Sequence, residues 1–250
     1  MTASRILLFF RSLILFVGMI TLVLLFAGLI VVTVGTRNAP RRRRRLAAIA
    51  GRLCLRWFAF SAGLDYSIEG SQQLPVMGDV PTILFWRHES AWETFLSLTL
   101  STDPTWVLKH ELLWLPIVGW GIFLLDPIPI DRASGRTAVA RVLKVGRQQL
   151  LAGRVLNLFP EGTRLAPQAR RRYGMSGALL ASALGARIIP IAHDAGTYWP
   201  RRGFFKRPGR IRVLVGPPID VAVGDAPESI NARVAAWMEG ALASLRPGER

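Results

Sequence analysis

Apolar and polar positions follow two regimes along the chain. From Ser12 to Thr36 no residue is charged, a run of 25 residues; as a helix it would extend about 37 Å, more than the roughly 30 Å hydrocarbon core of a bilayer. A shorter apolar segment, Leu46 to Leu64, is broken by Arg52 and Arg56. The two predict an N-terminal membrane helix or a two-helix membrane hairpin dipping into one leaflet, with both arginines reaching toward phosphates. A cleaved signal peptide has an apolar region of about 7–15 residues followed by a small-residue cleavage pattern. Here the run is longer and ends in arginines, so a retained anchor is expected.

Beyond residue 65 the pattern shortens. Apolar or β-branched runs at Thr82 to Trp86, Thr105 to Leu108, Pro127 to Ile130, Val155 to Phe159, Arg187 to Ala192 and Ile211 to Val215 read as strands. Segments of helical character lie between and after them, at Ala91 to Leu100, Ser134 to Ala152, Ser176 to Leu184 and Pro227 to Leu245. The expected fold class is α/β, a mixed sheet flanked by helices behind the N-terminal membrane segment. The division follows: residues 1–64 anchor the chain and residues 65–250 form the α/β domain.

Charge narrows the partners. A formal net charge of +16 in 250 residues calls for an anionic partner: nucleic acid, an anionic membrane surface or a phosphorylated substrate. The apolar N-terminus favours anionic membrane lipid, and no nucleic acid is expected. Arg37 and Arg41 to Arg45 outnumber Arg5 and Arg11 on the other side of the apolar run, which predicts that the domain lies at the cytoplasmic face of the inner membrane. A single cysteine, Cys54, cannot form an internal disulfide.

Candidate chemistry sits in four short stretches. In Trp86-Arg87-His88-Glu89-Ser90-Ala91-Trp92-Glu93, one of only three histidines precedes a glutamate by five positions. On one helix these two would differ by about 140° around the axis, so contact requires His88 to lie between a strand and a helix that begins near Ser90. The second stretch, Phe159-Pro160-Glu161-Gly162-Thr163-Arg164, follows a strand; a turn there needs Pro or Gly but neither the acid nor the base. The third runs from Val107-Leu108-Lys109-His110-Glu111 to Ile130-Asp131-Arg132, and the fourth is Ile188-Ile189-Pro190-Ile191-Ala192-His193. Singly each has a plain reading: a core histidine, a surface ion pair, an exposed base. His110 and His193 are too isolated to define a metal centre with His88, and Gly119-Trp120-Gly121 lacks the rest of a dinucleotide fingerprint. No metal and no cofactor are expected.

Together, and in this order, the four stretches resemble the glycerolipid acyltransferase family, most closely its 1-acyl-sn-glycerol-3-phosphate acyltransferases. The resemblance runs from about Thr82 to Pro218. The family's first motif is a histidine, four residues and an acid, usually aspartate; His88 and Glu93 fill those places, with glutamate as a departure. Arg132 matches the end of the second motif, where it would contact the acceptor phosphate, with Lys109 as a further cation. Glu161, Gly162, Thr163 and Arg164 match the third, tied to acceptor glycerol and phosphate, and Pro190 the fourth, on the acyl-donor side. A lysine that often follows the third motif is missing from Tyr173-Gly174-Met175-Ser176-Gly177, with Arg170, Arg171 and Arg172 nearby.

The resemblance implies direct transfer of a fatty acyl group from acyl-CoA or acyl carrier protein to lysophosphatidic acid. His88 would be the general base and Glu93 its orienting anion. No Ser stands in a Gly-x-Ser-x-Gly elbow, so an acyl-enzyme is disfavoured. Two alternatives stay open: another lysophospholipid or lyso-aminolipid as acceptor, and a membrane-anchored protein that merely binds anionic lipid or nucleic acid. Tyr198 to Arg207 interleaves aromatic and basic residues, as a loop at headgroup depth would.

Overall fold

The computed structural model describes residues 3–75 and 80–246. Two long helices come first, α1 (Ala3–Val32) and α2 (Ala39–Ala62). Residues Ser4–Val32 are long and apolar enough to cross a membrane by length and composition, with a mean hydropathy of 2.9. Asn38, in the left-handed region at φ 58°, turns the chain into α2, and Pro40 stands in the first turn, where its missing N–H costs no hydrogen bond. At the other end Gly63 takes φ 66° and donates its N–H to Ala59 O at 3.0 Å, ending the helix. The pair forms a hairpin. Trp57 Nε1 lies 3.2 Å from both the Ile14 and Leu15 carbonyls, and a Cβ on Gly18 would fall 2.1 Å from the indole.

The remaining elements are β1 (Leu64–Glu69), β2 (Thr82–Trp86), α3 (Trp92–Ser97), β3 (Pro104–Lys109), α4 (Val118–Phe123), β4 (Ile128–Ile130), α5 (Arg136–Leu151), β5 (Val155–Leu158), α6 (Ser176–Leu184), β6 (Arg187–His193), α7 (Ala195–Tyr198), β7 (Gly209–Val215) and α8 (Pro227–Leu245). The strands make one seven-stranded sheet in the order β1-β7-β6-β2-β5-β3-β4. All neighbours are parallel except β6 and β7, so the sheet is mixed, as expected. Strand β2, buried at all five positions, lies between β5 and β6. Its side chains alternate. Leu84 and Trp86 join Cys54, Leu55 and Phe58 of α2 and Trp92 and Leu96 of α3 on one face; Ile83 and Phe85 join Val142 and Leu150 of α5, Leu180 of α6 and Ile230 and Val234 of α8 on the other.

Three elements were not expected from the pattern: β1, α4 and α7. Strand β1 directly continues the apolar run of α2 and gains its regularity from parallel pairing with β7, more than 140 residues later in the chain. Helix α4 rests on α1 where Gly121 meets Ala27, a Cβ there falling 3.0 Å from Ala27 Cα. Helix α3 is shorter than the apolar pattern implies, because Thr99 closes a turn onto Leu96 O through both its N–H and its hydroxyl.

Candidate active site

Parallel strands release their loops at one edge of a sheet, and binding sites of open α/β sheets gather there. Phe85 pairs with Leu158 on one side and with Pro190 on the other. Three residues beyond each pairing point stand His88, Glu161 and His193. Strands β3 and β4 finish at the same edge with Lys109 beside Ile130, and Arg132 follows two positions later. Four stretches far apart in sequence thus converge because their strands are parallel and in register.

His88 and Glu93 meet as the strand–bend–helix reading requires. Glu93 sits in the first turn of α3, and its Oε1 lies 2.8 Å from His88 Nδ1 while accepting the backbone N–H groups of Glu89 at 3.2 Å and Ser90 at 3.0 Å. The carboxylate is fully buried, whereas the imidazole is 12% exposed. A hydrogen on Nδ1 directed at the carboxylate leaves Nε2 with its lone pair. Phe159 covers the ring, the centroids 4.2 Å apart. Burial, and then the positive charges of Arg164, Arg132, Arg201 and Arg87, hold the His88 pKa well below the ordinary imidazole range. Burial pushes Glu93 the other way, upward, against the opposing pull of His193 and of backbone N–H donors.

Behind the pair lies a buried ionic network that no motif announced. Arg87, 2% exposed at its side chain, bonds Glu89 Oε1 at 2.8 Å and Glu161 Oε1 at 3.3 Å. Its remaining nitrogen reaches the carbonyls of Ala166, Pro167 and Ala169. Arg246, just after α8, donates to Glu89 Oε2 at 2.5 Å and to Pro167 O at 3.0 Å. Glu89 fits only because residue 196 is glycine, since a Cβ there would lie 2.7 Å from Oε2. One guanidinium therefore ties the His88 loop to the loop that carries Arg164.

Glu161 is accordingly buried against Arg87 rather than paired with Arg164, and its Oε2 has no partner among the described residues. Burial raises its pKa to about 7, with Arg87 opposing. Gly162 makes the turn at φ 67° and bonds back to Phe159 O at 3.0 Å; Thr163 and Arg164 follow, half-buried. Arg132 is exposed at the start of a single 3-10 turn, beside Glu111, Arg164 and Arg171. Lys109 is exposed and pairs with Glu111, whose other oxygen lies 3.1 Å from His110 Nδ1. Pro190 is buried in β6 and offers its carbonyl to Gly216 N–H at 2.9 Å. No group of three metal-ligating side chains occurs among the described residues.

The aromatic and basic loop after β6 packs on α1 instead of standing clear of the domain. Trp199 is 4% exposed and Lys206 1%. The Lys206 ammonium donates to Gly203 O at 2.7 Å and Phe204 O at 3.2 Å and lies 4.9 Å from the Phe16 ring centre and 5.3 Å from that of Trp199. Its backbone N–H is received by Ser12 Oγ of α1 at 2.9 Å. Burial and the nearby Arg164 push the Lys206 pKa down to about 8.

Sequence reasoning missed Arg87, Glu89, His193 and Arg201 as neighbours of the pair, and Arg246 as the partner of Glu89. Arg87 and Glu89 flank His88 and carried a usable signal, two charges in a loop that leaves a buried strand; the others arrive only through tertiary structure.

Residues 66–194, which hold this sheet edge and the His88–Glu93 pair, match the family model described as Acyltransferase. The chain belongs to that acyltransferase family. Among its relatives is the 1-acyl-sn-glycerol-3-phosphate acyltransferase of Pseudomonas aeruginosa, 37% identical over 189 residues, or 74% of this chain and 72% of that protein. The enzyme of the same name from Borreliella burgdorferi is 28% identical over 182 residues, covering 71% and 70%. The crystal structure of the 1-acyl-sn-glycerophosphate (LPA) acyltransferase PlsC from Thermotoga maritima shares the fold, with a TM-score of 0.77 at 19% identity over 94% of this chain and 96% of that one.

Proposed function

We propose that this chain is a membrane-anchored acyltransferase that moves a fatty acyl group from acyl-CoA or acyl carrier protein to the sn-2 hydroxyl of 1-acylglycerol-3-phosphate, forming phosphatidic acid. The observation that carries the reading is the 2.8 Å contact between His88 Nδ1 and Glu93, which leaves Nε2 unprotonated amid arginines. The glycerol hydroxyl attacks the thioester carbonyl carbon while its proton passes to His88 Nε2. Glu93 fixes the tautomer and stabilises the imidazolium. The carbon–sulfur bond then breaks, and the departing thiolate recovers the proton from Nε2. Atoms and charge balance without a covalent enzyme intermediate.

Arg132 and Arg164, with Lys109, hold the acceptor phosphate through charge-assisted hydrogen bonds and set its hydroxyl beside the base. Gly162 and Thr163 shape the turn that presents Arg164. Glu161 is held through Oε1, so an acceptor contact made by this residue would run through its unpartnered Oε2. The apolar length of α1 supports the anchor, and the arginines from Arg37 to Arg45 support a cytoplasmic-face orientation.

The test is transfer of labelled acyl groups, from acyl-CoA and from acyl carrier protein, to a panel of lyso-lipids by the purified protein in mixed micelles. Labelled phosphatidic acid from the phosphate-bearing acceptor, with little product from phosphate-free 1-acylglycerol, is expected. Equal use of the two acceptors, or no transfer to any lyso-lipid, overturns the reading.

A further inference from the structure

The catalytic pair has a third member that the proposed mechanism does not use. Glu93 Oε1 takes three donors, but Oε2 is buried and has no hydrogen-bond partner among the described residues. The polar side chain facing that oxygen is His193, with Nε2 3.9 Å away and both side chains at 0% exposure. A buried carboxylate oxygen without a donor is costly, more so when the carboxylate is charged.

The backbone fixes the His193 tautomer from both sides. Ala195 N–H points at Nδ1 at 3.2 Å, which excludes a hydrogen there, and Nε2 lies 2.8 Å from Arg87 O, to which it donates. The one ring hydrogen is therefore on the nitrogen that faces Glu93. Trp92 lies edge-on to the ring, 6.4 Å between centroids, and the two backbone bonds hold the imidazole in place. The register of β6 on β2 places His193 at the level of His88.

We propose that His193 is a positioning residue of the acyl-transfer site, its Nε2–H shared between Arg87 O and Glu93 Oε2 so that Glu93 stays anionic and turned toward His88 as the base takes its proton. The inference rests on the His88–Glu93 reading. In the resting structure the hydrogen belongs to Arg87 O; as charge develops on His88, a small displacement of the carboxylate brings Oε2 within reach of it. Hydrogen bonding to the charged form of a carboxylate favours that form. The other charged groups around Glu93 are already engaged: Arg87 with Glu89 and Glu161, and Glu89 in turn with Arg246 from beyond α8. Arg87 and Arg246 answer those carboxylates, and His193 is the described imidazole whose N–H lies nearest Oε2, at 3.9 Å.

The experiment compares His193→Phe, which keeps an aromatic ring, with His193→Gln, whose amide N–H can stand where Nε2–H stood. For each, kcat and KM are followed from pH 5 to 9.5, beside His88→Ala and thermal unfolding of every variant. His193→Phe is expected to move the acid limb of kcat to higher pH by roughly one unit, the scale of one hydrogen bond to a charged group. Its kcat at pH 7 falls about tenfold and recovers toward pH 9, with acceptor KM unchanged, and His193→Gln restores the parent profile. An unshifted limb in folded His193→Phe overturns the proposal, as does a loss that His193→Gln shares in full or one that tracks unfolding instead of pH. If His88→Ala retains turnover, it is the underlying assignment of the base that fails.

Discussion

His88 and Glu93 are held from every side, whereas the cations at the same edge of the sheet are held by little. Glu93 is fully buried and accepts three donors; the Lys109 side chain is 52% exposed and its described ion-pair partner is one surface glutamate. Arg132, also exposed, follows a strand of only three residues, β4. In the proposed reaction the contrast would separate two tasks. A proton transfer needs atoms placed to within a fraction of an ångström, so its residues sit where the core fixes their rotamers. Capture of a phosphate on a diffusing lipid needs charge and reach, which long, solvated side chains supply.

The largest effect should come from the rigid side. His88→Ala is expected to lower turnover by about 10²–10⁴-fold with the fold intact, and Glu93→Gln to remove much of the activity. If the two act as one unit, the double variant falls little below His88→Ala alone. A loss equal to the product of the single losses would break the pair apart.

Next in size is the support beneath the pair. Arg87→Met strands the Glu161 carboxylate in the interior and leaves Glu89 to Arg246 alone, and loss of one partner of a buried ion pair costs about 3–5 kcal/mol. Chemical denaturation should record a drop of that order. An unchanged midpoint would mean that the network is not what ties the two loops together.

Arg164→Ala and Arg132→Ala belong to the adaptable side and should raise the acceptor KM by roughly tenfold or more, the scale of a charge-assisted hydrogen bond, with a smaller change in kcat. Each also removes a positive charge that holds the His88 pKa down. With that charge gone the pair takes up a proton more readily, so the acid limb of kcat/KM should shift to higher pH; a shift to lower pH contradicts the electrostatic account. Lys109→Ala should change the acceptor KM by only a few-fold, since exposed ion pairs contribute about 1 kcal/mol or less. A loss as large as that of Arg164→Ala would place Lys109 with the rigid set.

The same contrast explains what could be read before the fold was known. Strand β2 and helices α6 and α8 lie where local pattern places them, because each carries its own apolar face and a Pro, Gly or Ser at its boundary. Strand β1 was hidden: its residues Leu64-Asp65-Tyr66-Ser67-Ile68-Glu69 alternate weakly, and what makes them a strand is β7. Within the site, His88 and Glu93 were legible because both lie in one six-residue stretch where a strand bends into a helix, and Arg164 because it brackets a glycine turn. His193, by contrast, is 100 residues beyond Glu93 in the chain and comes to it only through the parallel register, and Arg246, 157 residues beyond Glu89, comes to that carboxylate only through the packing of α8. The partner of Glu161 was hidden for the same reason, since Arg87 is 74 residues away.

Lys206 gives the junction between α1 and the sheet domain a mechanical character. Its backbone is fastened to Ser12 and its ammonium is enclosed by Phe16 and Trp199, while Phe204 lies between Phe9 and Phe16. A joint of this kind is a bracket and not a hinge. These contacts couple α1 to the sheet domain, so a tilt of the helix is passed on to the edge of the sheet that carries His88. With α1 as the proposed membrane anchor, a thicker bilayer would set that helix more upright, and the attitude at which His88 meets an incoming lipid would follow membrane thickness, so the composition of the leaflet would act on the rate as a setting of orientation before it acts as a supply of substrate.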